Sequence, residues 1–272
     1  MSLEMLEMSL YDEIYKRKPT QKFSLNTLDP IIIEQIKDQI QTLPQLNCSN
    51  DTQLHFINNG TKITDKLSSF GQVKAPYYIL VTGTREDSCL ISAGYTTEYL
   101  VLYLTSLGIA TSYIGRFLDR NTATRILGSK LISDVFSIVA FGPSLDAHEL
   151  YRSPDDLKRL PLESLILGGD PTPDQRSILE AVRIAPSFLN SQTWRFEVGK
   201  DSISLYQEKS PQFGNTLSIE TCHFDMGIAL AHMEIAAQHL GYDTKIYFKE
   251  HLWGEPDYIQ TIQLHSKNKE DS

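Results

Sequence analysis

Ser187, Asn190 and Gln192 stand within six residues of one another in the run APSFLNSQTW (185–194). They lie between an apolar helical segment and a strand-like one. An Asn or Gln amide offers two donors and an acceptor. That combination suits a flat heterocycle whose edge alternates acceptor, donor and acceptor, and Ser187 adds an adaptable hydroxyl. The same groups also suit a helix exit that satisfies its own backbone, and the loop alone leaves both readings open. A second stretch, KRKPTQK (16–22), puts four cations into seven residues. It reads either as a solvated turn or as a phosphate cradle, in which an Arg fork would hold the anion.

The rest of the chain removes other chemistries. A formal net charge of −9 disfavours general binding to nucleic-acid backbones. Cys48, Cys89 and Cys222 are far apart, odd in number and without a Cys-x-x-Cys pair. This argues against a disulfide framework or zinc site and for a reducing compartment. The seven histidines show no metal-ligand spacing on one helix face, and Cys222 and His223 are only a neighbouring pair, which rarely point together. No Gly-x-Gly-x-x-Gly run occurs, so a separate dinucleotide-binding domain is not expected. No apolar run reaches membrane-spanning length. The start, MSLEMLEMSLYDEI, carries glutamates where a signal peptide needs basic residues, and reads as an amphipathic helix or a loose tail. A cytoplasmic location is the expectation.

The elements that must position these residues follow from periodicity. Ser9–Tyr15 and Leu28–Leu43 read as helices, the second started by Asp29-Pro30. LHFI (54–57), APYYILVTG (75–83) and VFSIVAFG (135–142) read as strands. Residues 148–163 are charged and broken by prolines, which marks a connector. A second series begins with helix 175–185, then the polar loop, strands WRFEV and SISLYQE, and strands TKIYF and YIQTIQL.

Each series holds one helix that is apolar on most faces, running from Gly94 to Gly108 and from Gly227 to Gly241. Such helices are buried. Both end Leu-Gly and both precede a strand. Coincidence of glycine capping is one reading. Internal duplication is the other, giving two α+β halves that mimic a two-fold homodimer. The expected division is 1–150 and 173–272 for the halves, with 151–172 as connector.

Taken together, these stretches resemble the FMN-dependent nitroreductase family, in its branch with two related halves in one chain (the putative TM nitroreductase type). The likeness covers roughly residues 9 to 265. APSFLNSQTW matches the family's A-P-S-x-x-N-x-Q-P-W, GYTTEYLVLYLTSLGIATSYIG matches its central helix, and Arg17–Gln21 falls on its R-x-S-x-R. The resemblance implies a nitroreductase-like α+β fold arranged as an intrachain pseudo-dimer, with FMN held by both halves. It assigns Arg17, Lys18, Pro19, Gln21 and Arg152 to the first half's contribution, with Arg17 and Arg152 on the phosphate. Ile114, Gly115 and Arg116 would offer backbone N–H groups to flavin N5. Pro186, Ser187, Asn190 and Gln192 would come from the second half. Function would be NAD(P)H-driven reduction of a small nitroaromatic or quinone-like acceptor by ping-pong hydride transfer, with no side-chain catalyst and no metal. The protein would be a monomer or a weak homo-oligomer.

Three positions depart from the pattern. Pro19 replaces the motif serine and Gln21 its second arginine, while Thr193 stands for the proline before Trp194. Gln21 brings a dipole where a cation would favour reduced flavin, a loss of about 1–4 kcal/mol at intermediate dielectric. The implied flavin is therefore harder to reduce. PQLNCSNDTQLHFI (44–57) only faintly echoes the polar loop, at Leu46-Asn47, and the second half starts without a good R-x-S-x-R, so one FMN per chain is expected. The competing function is a flavin- or flat-ligand-binding protein without turnover, or a scaffold that binds no flavin.

Overall fold

The computed structural model describes residues 3–46, 52–58, 60, 63, 73–115, 118–128, 133–146, 148, 150–153, 157–208, 218–248 and 256–266. The chain divides into two compact units. One is residues 16–154, and the other joins residues 1–15 to residues 155–272. The first fifteen residues thus group with the C-terminal segment rather than with the rest of the expected 1–150 half. Within that unit Leu10 and Ile14 are buried, and the Tyr11 ring stacks on His239 with centroids 4.0 Å apart.

In the 16–154 unit, helix α2 (Pro30–Thr42) begins as the sequence indicates. Asp29 caps it by accepting from the Ile31 N–H at 2.8 Å, and Pro30 supplies the preset first φ. Strands β1 (Gln53–Ile57), β2 (Tyr77–Gly83), β3 (Ala110–Gly115) and β4 (Asp134–Gly142) form an antiparallel sheet in the order β1-β2-β4-β3. Every residue of β2 is buried, which explains its unbroken apolar run. Tyr78, Leu80, Ile138 and Ala140 build the core on one side with Phe23 and Ile57. Helix α3 (Asp87–Ser106) lies between β2 and β3 in the chain and is buried from Cys89 to Thr105. Two of its three buried threonines turn back on the helix, Thr97 to the Ala93 carbonyl and Thr105 to that of Val101.

The other unit contains α1 (Leu3–Lys16), strand β5 (Ile166–Gly168), helix α5 (Pro173–Arg183) and strands β6 (Trp194–Val198) and β7 (Ser202–Gln207). Helix α6 (Ile219–His239) and strands β8 (Tyr242–Tyr247) and β9 (Asp257–Ser266) complete it. Its sheet runs β5-β6-β7-β9-β8, antiparallel except for the β5–β6 pair. Leaving aside β5, α1 and a short helix between β3 and β4, the described elements of each unit follow the same course of helix, two strands, long buried helix and two strands, with the same strand order.

Gly108 and Gly241 follow the long helices with φ of +70° and +85°, the left-handed C-terminal stop that a glycine makes without steric cost. Gly94 and Gly227, by contrast, lie inside α3 and α6 rather than at their starts. The packing of these buried helices outweighs the roughly 1 kcal/mol that an interior glycine costs. One helix in the first unit, α4 (Arg120–Leu127), spans only eight residues, too few for its apolar period to stand out in the sequence. Its ends identify it: Asp119 caps Thr122 and Gly128 stops it at φ +70°.

Candidate functional site

The basic segment of the 16–154 unit is pinned by its backbone on two sides. Arg17 forms an antiparallel bridge with Tyr151, and the Arg152 N–H donates to the Lys16 carbonyl at 2.8 Å. Pro19 forms a parallel bridge with Thr111 of β3, and the Thr20 N–H reaches the Thr111 carbonyl at 2.9 Å. Arg17, Lys18, Pro19, Gln21 and Arg152 are therefore gathered beside β3. That strand ends in Ile114-Gly115. Arg116 lies outside the described residues.

Arg17 is 3% exposed, with its guanidinium carbon 5.4 Å from the centroid of the Tyr113 ring. The Tyr113 hydroxyl donates in turn to Glu98 of α3 at 2.7 Å. Arg17 Nε is buried without a hydrogen-bond partner, and so are the hydroxyls of Thr20 and Thr111. A buried donor of this kind costs about 1–3 kcal/mol if nothing meets it. Lys18, Thr20, Gln21 and Lys22 of the same segment line a cleft of about 640 Å³ with Ser144 and Asp146. Arg17 and Gln21, although they share the expected motif, face differently: Arg17 is buried and Gln21 exposed.

Strand β3 carries a bulge. Tyr113 pairs with Val139 and Gly115 with Ile138, so Ile114 has no partner residue in the ladder. A bulge turns backbone groups out of a sheet and is common beside ligand sites.

The polar loop belongs to the other unit. Helix α5 ends at Arg183, and a short 3-10 turn spans Phe188–Asn190. Leu189, Asn190 and Gln192 hold φ of +52°, +58° and +50°. Asparagine tolerates that region, but leucine and glutamine pay roughly 1–3 kcal/mol each. Ser187 organises the loop by accepting from the Gln192 N–H at 3.1 Å, and its carbonyl accepts from the Asn190 N–H at 3.0 Å.

The side-chain amides do not stand open. Asn190 accepts from Arg159 Nη1 and donates to the Lys158 carbonyl at 2.8 Å. Gln192 accepts from the Leu160 N–H at 2.8 Å and donates to the Asn190 carbonyl at 3.2 Å. Three of these four bonds reach a segment some thirty residues upstream. Arg159 is the residue that sequence reasoning missed. It sits in the charged, proline-broken stretch that reads as a connector, and no local pattern shows where its side chain goes.

Beneath the loop, Asp225 of α6 accepts from the Phe188 N–H at 2.9 Å. Burial pushes its carboxyl up to about 8, and the Phe188 bond only partly opposes this. Burial, with the Asp225 charge adding to it, pushes the nearby Cys222 thiol up to about 11. A thiol so raised is not an attacking thiolate at neutral pH. Among the described residues no group of three His, Cys, Asp or Glu is placed to hold a metal ion, and no helix is long and apolar enough to cross a membrane.

Residues 9–237 match a family model described as "Putative TM nitroreductase". A crystal structure described as a putative nitroreductase from Thermotoga maritima has a TM-score of 0.63, 20% identity, and coverage of 94% of this chain and 92% of that one. At that identity the likeness concerns the fold. A nitroreductase with bound FMN from Desulfitobacterium hafniense matches at TM-score 0.44 and 16% identity, covering 54% of this chain and 92% of its own. An FMN-dependent nitroreductase from Clostridium difficile matches at TM-score 0.45 and 16% identity, covering 54% and 93%. No curated protein matches the chain.

Proposed function

Because this chain belongs to the putative TM nitroreductase family, we propose that it is an FMN-dependent oxidoreductase. Its electrons would come from NAD(P)H and go to a small, flat organic acceptor of nitroaromatic or quinone-like type. The observation that carries the reading is Arg17: a buried guanidinium with an unmet Nε donor, beside the unmet hydroxyls of Thr20 and Thr111. A cation held with donors to spare fits an anionic cofactor, so the residues present fit FMN.

In this proposal Arg17 and Arg152 bind the phosphate, with Lys18 in support and Pro19 and Gln21 as neighbouring contacts. Ile114 and Gly115, at the bulge, supply a backbone donor to N5, and Arg116 continues that segment. Pro186 and Ser187 contribute from the polar loop. Asn190 and Gln192 complete the loop's contribution to the ring edge, held in place by their bonds to residues 158–160. Bound FMN would supply the hydride chemistry itself. The chain's residues bind and orient it and keep one position open, used first by NAD(P)H and then by the acceptor, which gives ping-pong kinetics. The shared element order of the two units supports an internal duplication, and we infer a monomeric pseudo-dimer or weak homo-oligomer.

Purified protein should be yellow and should release FMN rather than FAD on heat denaturation. NADH or NADPH should bleach the flavin under anaerobic conditions, and a nitroaromatic or quinone should restore the colour. Protein that stays colourless after incubation with FMN would refute the proposal. One observation favours a second reading, a flavin-binding protein without turnover: Pro19 and Gln21 remove a hydroxyl and a cation from the expected motif. Bound flavin that neither nicotinamide bleaches would establish that alternative.

A further inference from the structure

Three residues, Lys158, Arg159 and Leu160, make most of the long-range bonds that the polar loop receives. Arg159 does the most. One nitrogen of its fork donates to the Asn190 side chain, and the other donates to the carbonyls of Ile184 and Ala185 at 3.2 and 3.1 Å. Those carbonyls lie just past the last turn of α5, where acceptors lack intrahelical donors and a cation is electrostatically favoured. A single planar group thereby ties the helix exit to the left-handed apex of the loop. The Lys158 carbonyl and the Leu160 N–H hold the Asn190 and Gln192 amides on either side of it. The segment is itself anchored downstream. Leu162 and Leu165 are buried, and the Leu165 carbonyl accepts from the Phe196 N–H at 2.8 Å at the start of the β5–β6 pairing.

We propose that residues 158–160 are a brace that fixes loop 186–193 in its cofactor-ready form, with Arg159 as a positioning residue for flavin binding. The inference rests on the FMN reading for its ligand and on the bonds above for its mechanics. Two features favour a brace over a strap that a ligand would displace. The acceptors of Arg159 include two helix-end carbonyls that need a donor whether or not a ligand is present. The three positive-φ residues also persist only where their surroundings over-determine them, and the bonds from 158–160 supply that constraint.

The test compares wild type with Arg159→Met, which keeps the apolar stem and removes the fork, and with Asn190→Ala and the double variant. Amide hydrogen exchange on cofactor-free protein reads the loop directly, while FMN fluorescence quenching reads affinity. Exchange at Phe188–Gln192 should rise about tenfold or more in Arg159→Met, with α6 unchanged, and FMN should bind about tenfold more weakly or worse. The double variant should fall short of the sum of the two single effects, because the changes share the Arg159–Asn190 bond while each also breaks bonds of its own. Unchanged exchange overturns the brace. Faster exchange with unchanged or tighter FMN binding overturns it too, and identifies a competing strap. Wild-type protein that binds no FMN sinks the flavin reading and the ligand half of this inference, while the exchange arm still decides the brace.

Discussion

Gln21 and Asp225 are the two residues at which a single charge decides most. Gln21 is exposed on the cleft rather than buried with Arg17. A cation restored there acts through a wet environment, at the weak end of the electrostatic range. Gln21→Arg should therefore raise the midpoint potential of bound FMN by roughly 20 mV, equivalent to about 1 kcal/mol for a two-electron couple. Potentiometric titration that shows no rise would count against placing residue 21 near the ring. Asp225 bears on stability. Its carboxyl ionises near 3.8 when exposed and near 8 in the folded chain, so the folded state holds the proton more tightly. The stability it contributes is complete below the unfolded value and is lost as pH rises through the folded one, with a slope of at most about 1.4 kcal/mol per pH unit. Asp225→Asn should remove this slope between pH 4 and 8. Parallel urea denaturation curves for the two proteins across that range would contradict the assignment.

The elements divide by how local their signals are. The strands from β1 to β9 longer than three residues, and the cap of α2 by Asp29, were legible because each depends on its own composition and flanks. Helix α5 adds a reciprocal capping box, in which Thr172 and Gln175 satisfy each other's backbone N–H groups at 3.2 and 3.0 Å. Thr172→Ala should cost about 1 kcal/mol in chemical denaturation. Helix α4 is too short for its period to be legible, although Asp119 and Gly128 mark both ends. The interior positions of Gly94 and Gly227 were hidden for the opposite reason, since glycine reads locally as punctuation. At the candidate site the residue types of the loop were visible, but their partners were not: Arg159 meets Asn190 across a separation of 31 residues. The strain was equally invisible, because nothing about a leucine announces φ of +52°. Leu189 is 55% exposed, so its substitution disturbs little packing. Leu189→Gly should relieve the left-handed strain and raise stability by about 1 kcal/mol, read as a higher Tm.

Across the whole molecule, the same topology occurs twice while the chemistry does not. Loop 186–193 lies between α5 and β6. Its topological counterpart lies between α2 and β1, where the sequence reads PQLNCSNDT (44–52), of which residues 47–51 are outside the described set. That counterpart has no Ser-x-x-Asn-x-Gln spacing. Likewise, among the described residues, a basic segment with a buried arginine pinned beside the third strand is seen in the 16–154 unit and not in the other. On the proposed duplication, two equivalent sets of residues would each have been kept in one copy, and one FMN per chain is then predicted. Flavin released from purified protein and quantified against amino-acid analysis should give a ratio near one after saturation with FMN and removal of excess. Arg17→Ala should bring that ratio towards zero rather than to half its value, because no second set remains to bind. A saturated ratio near two, or an Arg17→Ala variant that keeps half its flavin, would show that the diverged copy still forms a site.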